Sequence, residues 1–263
     1  MALDASPGEY VICRRVGKVF ETGKDRIEAI GSAHLRVADG EFVSILGPSG
    51  CGKSTLLMMI GGLDTPTSGE IIVAGRSMSA PRPEIGIMFQ DPTLLPWKTV
   101  LDNVLFPVVM MRRPIARYRE RALDLLQGVG LKEFTRTKPR QLSGGMRQRV
   151  AICRALVHEP RLLLMDEPFS ALDAITRDEM NIALLDIWDR HKITAIFVTH
   201  SIREAVFLSD RVLVMGGRPS TFLADVEIPL RRPRDASLGE SADFNAICGH
   251  LRRLIGEAHA ARK

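Results

Sequence analysis

The chain has 263 residues, 45% hydrophobic and 25% charged, with 36 Lys+Arg against 31 Asp+Glu. These proportions belong to an ordinary globular protein and, with a net charge of only +5, argue against a disordered chain. The longest unbroken apolar run, Leu56 to Ile60, is far short of the ~20 residues that cross a bilayer as a helix, so the chain is not expected to span a membrane by itself.

The start, Met1 to Tyr10, has no basic stretch and no apolar core, so no secretory signal is expected there. Four cysteines (Cys13, Cys51, Cys153, Cys248) lie far apart without a CxxC pair. A disulfide framework or zinc site is therefore not expected, and a reducing cytosol fits best.

Along the chain, short apolar runs end abruptly in polar or glycine-rich residues. Phe42 to Leu46 runs into Gly47, and a helical pattern follows over Lys53 to Ile60. Ile85 to Phe89 ends at Gln90. From Asp91 to Pro160 the chain turns Arg- and Leu-rich, with helical spacing in Tyr118 to Leu126 and Gly145 to Val157. Leu162 to Met165 ends at Asp166-Glu167, before a helical stretch from Asp173 to Arg190. Ala195 to Val198 ends at Thr199-His200, before another from Ile202 to Leu208. Leu223 to Ile228 alternates like an edge strand, Arg231 to Arg234 reads as loop, and Asp243 to Ala258 reads as a terminal helix. Apolar runs without alternation suit strands buried on both faces, and their alternation with helices predicts an α/β fold. In such folds ligands sit beyond the carboxyl ends of the strands, where Gly47, Gln90, Asp166 and His200 all fall.

Charge is unevenly placed. Met111 to Arg149 holds 11 Lys/Arg and 3 Asp/Glu, a local balance of +8 in a chain of net +5. Such a block is either a set of solvated helix faces or a surface for nucleic acid or an anionic membrane.

Gly47-Pro48-Ser49-Gly50-Cys51-Gly52-Lys53-Ser54 fits GxxxxGK[ST], between an expected strand and an expected helix. Glycines let the backbone wrap a phosphate, and the helix directs its positive end at the anion. Lys53 is the residue to reach the β/γ-phosphates, and the Ser54 hydroxyl to bind Mg²⁺. Beside such a cradle, Asp166 reads as a Mg²⁺ partner through water and Glu167 as a general base. Gln90 is assigned to Mg²⁺ and the attacking water, and His200 to the γ-phosphate, although a lone Gln or His there is also a common structural choice. Leu142-Ser143-Gly144-Gly145-Met146 opens a second helix and a second anion site. Either a second anion or a nucleotide held by another copy of the chain accounts for it; a plainly N-capped helix is the alternative. Alkylation of Cys51, inside the loop, is expected to block turnover, with ATP protecting.

In order, Gly47 to Thr55, Gln90, Leu142 to Met146, Leu162 to Pro168, Ser170 to Asp173 and His200 resemble the Walker A, Q-loop, signature, Walker B, D-loop and H-loop of ABC transporter ATP-binding subunits. The likeness runs from about Tyr10 to Pro219. Phe89 to Val100 with Asp102-Asn103, and Phe169 to Arg177, are similar to the nitrate/sulfonate/taurine importer branch. The resemblance implies a P-loop NTPase (RecA-like) core with an antiparallel β subdomain and an inserted helical subdomain. Its expected bounds are 10–90 and 161–218 for the nucleotide-binding core, 91–160 for the helical signature subdomain and 219–263 for a C-terminal extension.

It further implies an ATPase in which two copies clamp two ATP molecules, each Walker A facing the partner's signature. Phe20 is then placed to stack on adenine, unless it is an ordinary core or surface aromatic, and Asp173 to bridge the dimer. Trp97, with Leu94 and Leu95, marks either the permease-docking groove or plain packing of the insertion. Expected partners are integral-membrane permease subunits and, through them, a periplasmic solute-binding protein, with no nucleic acid. The expected place is the cytoplasm, peripheral on the inner face of the cell membrane. Ser201 departs from the family's usual Asp after the histidine, which puts the hydrogen bonding of that loop in question, and Met146 replaces a frequent Gln. ABC-type ATPases of DNA repair or translation share the nucleotide motifs. They carry coiled coils, zinc modules or two cassettes, whereas only about 50 residues separate Gln90 from Leu142 here.

Overall fold

The computed structural model describes residues 8–23 and 25–260. Met1 to Tyr10, where no secretory signal is expected, lies largely outside these residues. In chain order the elements are β1 (Glu9–Thr22), β2 (Asp25–Ala38), β3 (Phe42–Leu46), α1 (Lys53–Ile60), β4 (Ser68–Val73), β5 (Arg76–Ser77), β6 (Ile85–Met88), α2 (Val100–Met110), α3 (Ile115–Gly128) and α4 (Gly144–Leu156). They continue with β7 (Leu162–Asp166), α5 (Ala174–His191), β8 (Thr194–Thr199), α6 (Ile202–Leu208), β9 (Arg211–Gly217), β10 (Ser220–Glu227) and α7 (Ala242–Ala260). The chain forms two compact units, one from the segment up to Arg82 with Lys192 onward, the other from Pro83 to His191.

In the first unit the strand order is β5-β4-β1-β2-β10-β9-β3-β8. β3 pairs in parallel with both β8 and β9, and all of its residues are buried, as are those of β8. That double burial is why neither sequence alternates. The rings of Phe42 and Phe197 meet across the β3–β8 pair with centroids 6.2 Å apart and planes tilted 43°. The expected antiparallel subdomain is β1 with β2 and β4, extended by β5. In β2 the pattern is the opposite of β3: Ala33, Leu35 and Val37 are buried while His34 and Arg36 are exposed, the period of two of a sheet with one covered face.

The alternating segment read as an edge strand is β10, and here the reading is corrected. β10 lies between β2 and β9, pairing with β9 along its length and with β2 at Ser220–Ile30. It alternates because one face stays solvated, not because it ends the sheet. α7 covers the other side of this unit, packing Phe244, Cys248 and Leu251 against Val206, Val212, Val214 and Leu46. The loop before it is clamped to the end of α6, where the Arg234 guanidinium donates to the carbonyls of Val206, Phe207 and Ser209 at 2.9–3.2 Å. These are carbonyls a helix end leaves unpaired.

In the second unit β6 and β7 pair in parallel, Ile85 opposite Leu162 through Met88 opposite Met165. Thr99 caps α2, accepting from Asp102 N–H at 3.1 Å. Asn103, fully buried, ties down the preceding loop: its amide donates to the carbonyls of Leu95, Lys98 and Thr99 and its oxygen accepts from Leu95 N–H at 2.8 Å. From α4, Arg154 donates to the carbonyls of Pro92 and Thr93. No described helix is long and apolar enough to cross a membrane.

Candidate functional site: a phosphate loop and the strand ends

In the first unit the loop from β3 to α1 has the conformation its glycines permit. Gly50 and Gly52 lie at φ +75° and +91°, a left-handed backbone that a side chain disfavours. At Gly47 a Cβ would stand 2.3 Å from the Met215 carbonyl oxygen, so only glycine lets this loop pass β9. Pro48 and Ser49 follow, with Ser49 exposed. The Lys53 ammonium is 3% exposed and donates to the carbonyls of Gly47 (2.9 Å) and Pro48 (3.0 Å), folding the loop around itself. Ser54 is exposed and Thr55 half-buried in the first turn of α1, at the positive end of the helix dipole, which favours an anion. The Cys51 side chain turns the other way: it is 1% exposed and its Sγ lies 3.8 Å from the Met215 carbonyl.

β8 lies beside β3 with Thr199 opposite Leu46, so His200 and Gly47 leave neighbouring strands at the same end. His200 is exposed. Ser201 takes a helix-capping role that Ser and Asp can both fill. It caps α6 by accepting from Glu204 N–H at 3.3 Å, while its own N–H donates to Thr199 Oγ1 at 2.9 Å. Phe20 is 40% exposed, with the Lys18 ammonium 5.1 Å from its ring centroid. Lys18 is itself anchored to Asp64 at 2.6 Å.

In the second unit β6 and β7 bring Gln90 together with Asp166 and Glu167 at one end of the pair. Asp166 is buried and Glu167 half-buried. Glu167 has φ +43°, a left-handed conformation uncommon for a residue with a side chain and typical of strained functional positions. Ser170 links these groups: its hydroxyl accepts from Gln90 Nε2 at 3.2 Å and donates to the Glu167 carbonyl at 3.0 Å. Gln148 of α4, buried, donates to the Gln90 carbonyl at 3.0 Å and to the Pro168 carbonyl. Sequence reading gave neither Ser170 nor Gln148 a role of its own; a polar residue buried on a helix that otherwise turns apolar side chains inward was the one available signal for Gln148.

Ser143 caps α4, accepting from Met146 N–H at 3.2 Å, and Gly144 and Gly145 form its first turn. A Cβ at Gly145 would meet the Thr176 methyl at 2.8 Å. Beside this turn a cavity of about 270 Å³ is lined by Ser143, Gly145, Met146, Arg149, Phe134 and Thr176 among others. Asp173, exposed, caps α5: its carboxylate accepts from Thr176 N–H at 3.0 Å and from the Thr176 hydroxyl at 2.7 Å, bonds that hold it below the usual carboxylate range. Trp97 is 68% exposed, so it is not packing the insertion, whereas Leu94 and Leu95 are half-buried.

A glycine-bounded loop with a buried lysine, the strained Glu167 and a capped Ser-Gly-Gly turn are therefore present together in one chain. The family model described as ABC transporter matches residues 30–170. The chain belongs to the ABC transporter family. It is 46% identical over 227 residues to an uncharacterized ABC transporter ATP-binding protein of Methanocaldococcus jannaschii, covering 86% of this chain and 85% of the relative. To the nitrate import ATP-binding protein NrtD of Synechococcus elongatus it is 44% identical over 223 residues, 84% of this chain and 81% of the relative. To the bicarbonate transport ATP-binding protein CmpD of Synechocystis sp. it is 43% identical over 235 residues, 88% and 83% of the two chains. The dimeric post-hydrolysis structure of an ATP-binding cassette bound to ADP and Pi superposes with a TM-score of 0.74 at 34% identity, over 84% of this chain and 100% of that one. This ABC transporter ATP-binding protein thus has the P-loop NTPase fold and is an ATPase.

Proposed function

We propose that the chain is the energy-coupling subunit of an importer for a small anionic or polar solute of the nitrate, sulfonate or taurine kind. The observation that carries this is the 43–44% identity, over more than four-fifths of the chain, to proteins named for nitrate import and bicarbonate transport. In this reading closure of a homodimer around ATP powers separate permease subunits fed by a periplasmic solute-binding protein. The chain sits on the inner face of the membrane, and the exposed Trp97 offers the permease an apolar contact.

Residues 10–90 and 161–218 act as the nucleotide-binding core, 91–160 as the signature subdomain and 219–263 as an extension. The roles that follow rest on the family's ordered motifs. The backbone of Gly47 to Thr55 receives the phosphates, and Lys53 exchanges its bonds to loop carbonyls for phosphate oxygens. Glu167 accepts a proton from the attacking water, Gln90 orients that water, and His200 holds the γ-phosphate. Phe20 stacks on adenine. Ser143, Gly144 and Gly145 meet the partner's nucleotide, and Asp173 bridges the pair.

Mg²⁺ is assigned to Ser54, Gln90 and Asp166, and it supplies neutralising charge on the phosphates. The donor set suits that ion, since a hydroxyl, an amide oxygen and a single carboxylate are all hard oxygen ligands. Mg²⁺ in nucleotide sites takes one or two carboxylates plus phosphate oxygens, not an all-protein cage. Uptake of labelled nitrate, taurine and bicarbonate by cells lacking the chain tests the proposal. Loss of one uptake activity, restored by the wild-type chain but not by Lys53→Ala, supports it; unchanged uptake across such anions contradicts it.

A further inference from the structure

Between α2 and α3 the second unit presents a turn whose composition differs from the rest of its surface. Over Val109 to Arg119 there are four arginines and no Asp or Glu. At the end of α2, Val109 and Met110 are exposed, Met110 by 63%, and Ile115, which opens α3, is exposed as well. Arg112, Arg117 and Arg119 are exposed around them. Arg113 is different: its guanidinium donates to the Tyr118 hydroxyl and to the His158 carbonyl, both at 3.2 Å, so it braces the turn from inside. All four arginines belong to the basic block of Met111 to Arg149, but the structure sets Arg113 apart from the exposed three.

We propose that this turn contacts the anionic surface of a lipid bilayer, with Met110, Val109 and Ile115 entering the headgroup boundary and Arg112, Arg117 and Arg119 reaching lipid phosphates. Apolar side chains ringed by cations, without intervening acids, complement such a surface in both hydrophobicity and charge. A solvated helix face needs the arginines but has no use for exposed Val, Met and Ile at one turn. The proposal rests on this surface alone and stands whether or not the importer assignment does.

The test uses the purified full chain, sedimented with vesicles of phosphatidylcholine alone or with about 30 mol% phosphatidylglycerol, at low and high salt. Binding to the anionic vesicles only, weakened by salt, is expected. Changing Arg112, Arg117 and Arg119 to Glu lowers partitioning at least about 100-fold. Changing them to Gln lowers it less, Met110→Ser also weakens it, and ATP hydrolysis stays at the wild-type rate in all of these. Reversing the exposed Arg252 and Arg253 of α7 leaves vesicle binding unchanged. Equal binding to both vesicle types, or wild-type binding by the triple variants, overturns the proposal. So does a chain that binds neither vesicle and attaches only to membranes carrying its permease, through these same residues; the turn is then a protein contact.

Discussion

The hydroxyl of Thr199 donates a 2.5 Å hydrogen bond to the buried carboxylate of Glu204, spanning the turn that carries His200. Thr199 Oγ1 also accepts from Ser201 N–H, and Ser201 Oγ accepts from Glu204 N–H. His200 is thus flanked on both sides by residues tied to the first turn of α6. Removing the carboxylate leaves a buried hydroxyl without its acceptor. Glu204→Ala is expected to cost about 1–3 kcal/mol by urea denaturation and to lower ATP turnover, whereas Ser201→Asp, which keeps the cap, leaves stability within about 0.5 kcal/mol.

Gln148 holds two carbonyls from different segments, Gln90 at the end of β6 and Pro168 after β7. Gln148→Ala strands both acceptors in a buried place and costs about 1–3 kcal/mol. Because the carbonyls held belong to Gln90 and to Pro168, the residue after Glu167, hydrolysis is expected to fall more than nucleotide affinity does. Comparing kcat with ATP Kd for this variant reads the difference directly.

His158 is buried, and burial, reinforced by the nearby Arg113 and Arg121 cations, holds its imidazole below the usual histidine range. With the folded value depressed below an unfolded value of about 6.5, the unfolded chain takes up the proton first. Stability from this residue is therefore constant above that pH and declines as pH falls below it, until folded His158 protonates as well. His158→Leu removes that component. Melting temperatures at pH 8 and pH 5.5 are expected to differ less in the variant than in the wild type.

Cys51 carries a revised expectation. Its thiol is buried against the Met215 carbonyl, so alkylation of the native chain is slow, and labelling proceeds fully only on unfolding. Timed mass spectrometry in native buffer and in denaturant measures the ratio. Fast native labelling with unimpaired turnover contradicts both the burial and the placement of the loop.

Much of this architecture was legible because two periodicities are so different. Phe42 to Leu46 and Lys53 to Ile60 coincide with β3 and α1, since a doubly buried strand and the helix after a glycine loop both announce themselves. β10 misled because alternation reports a solvated face, not a position in the sheet. The motif residues were visible by spacing, but what holds them was not. The left-handed backbone of Glu167 has no glycine to signal it. The bonds of Gln148, Arg154 and Asn103 join residues up to 62 positions apart, to backbone carbonyls that carry no sequence mark. The inward turn of Arg113 likewise depends on where the His158 carbonyl lies in the folded unit.

The most direct test of the account is ATP turnover by Glu167→Gln beside the wild type, with nucleotide binding measured on both. The variant is expected to bind ATP as tightly as the wild type, to elute as a dimer with ATP bound, and to hydrolyse it between about 100- and 10,000-fold more slowly, the range set by loss of a general base. Hydrolysis at the wild-type rate by Glu167→Gln would contradict the assignment of Glu167 and with it the proposed site.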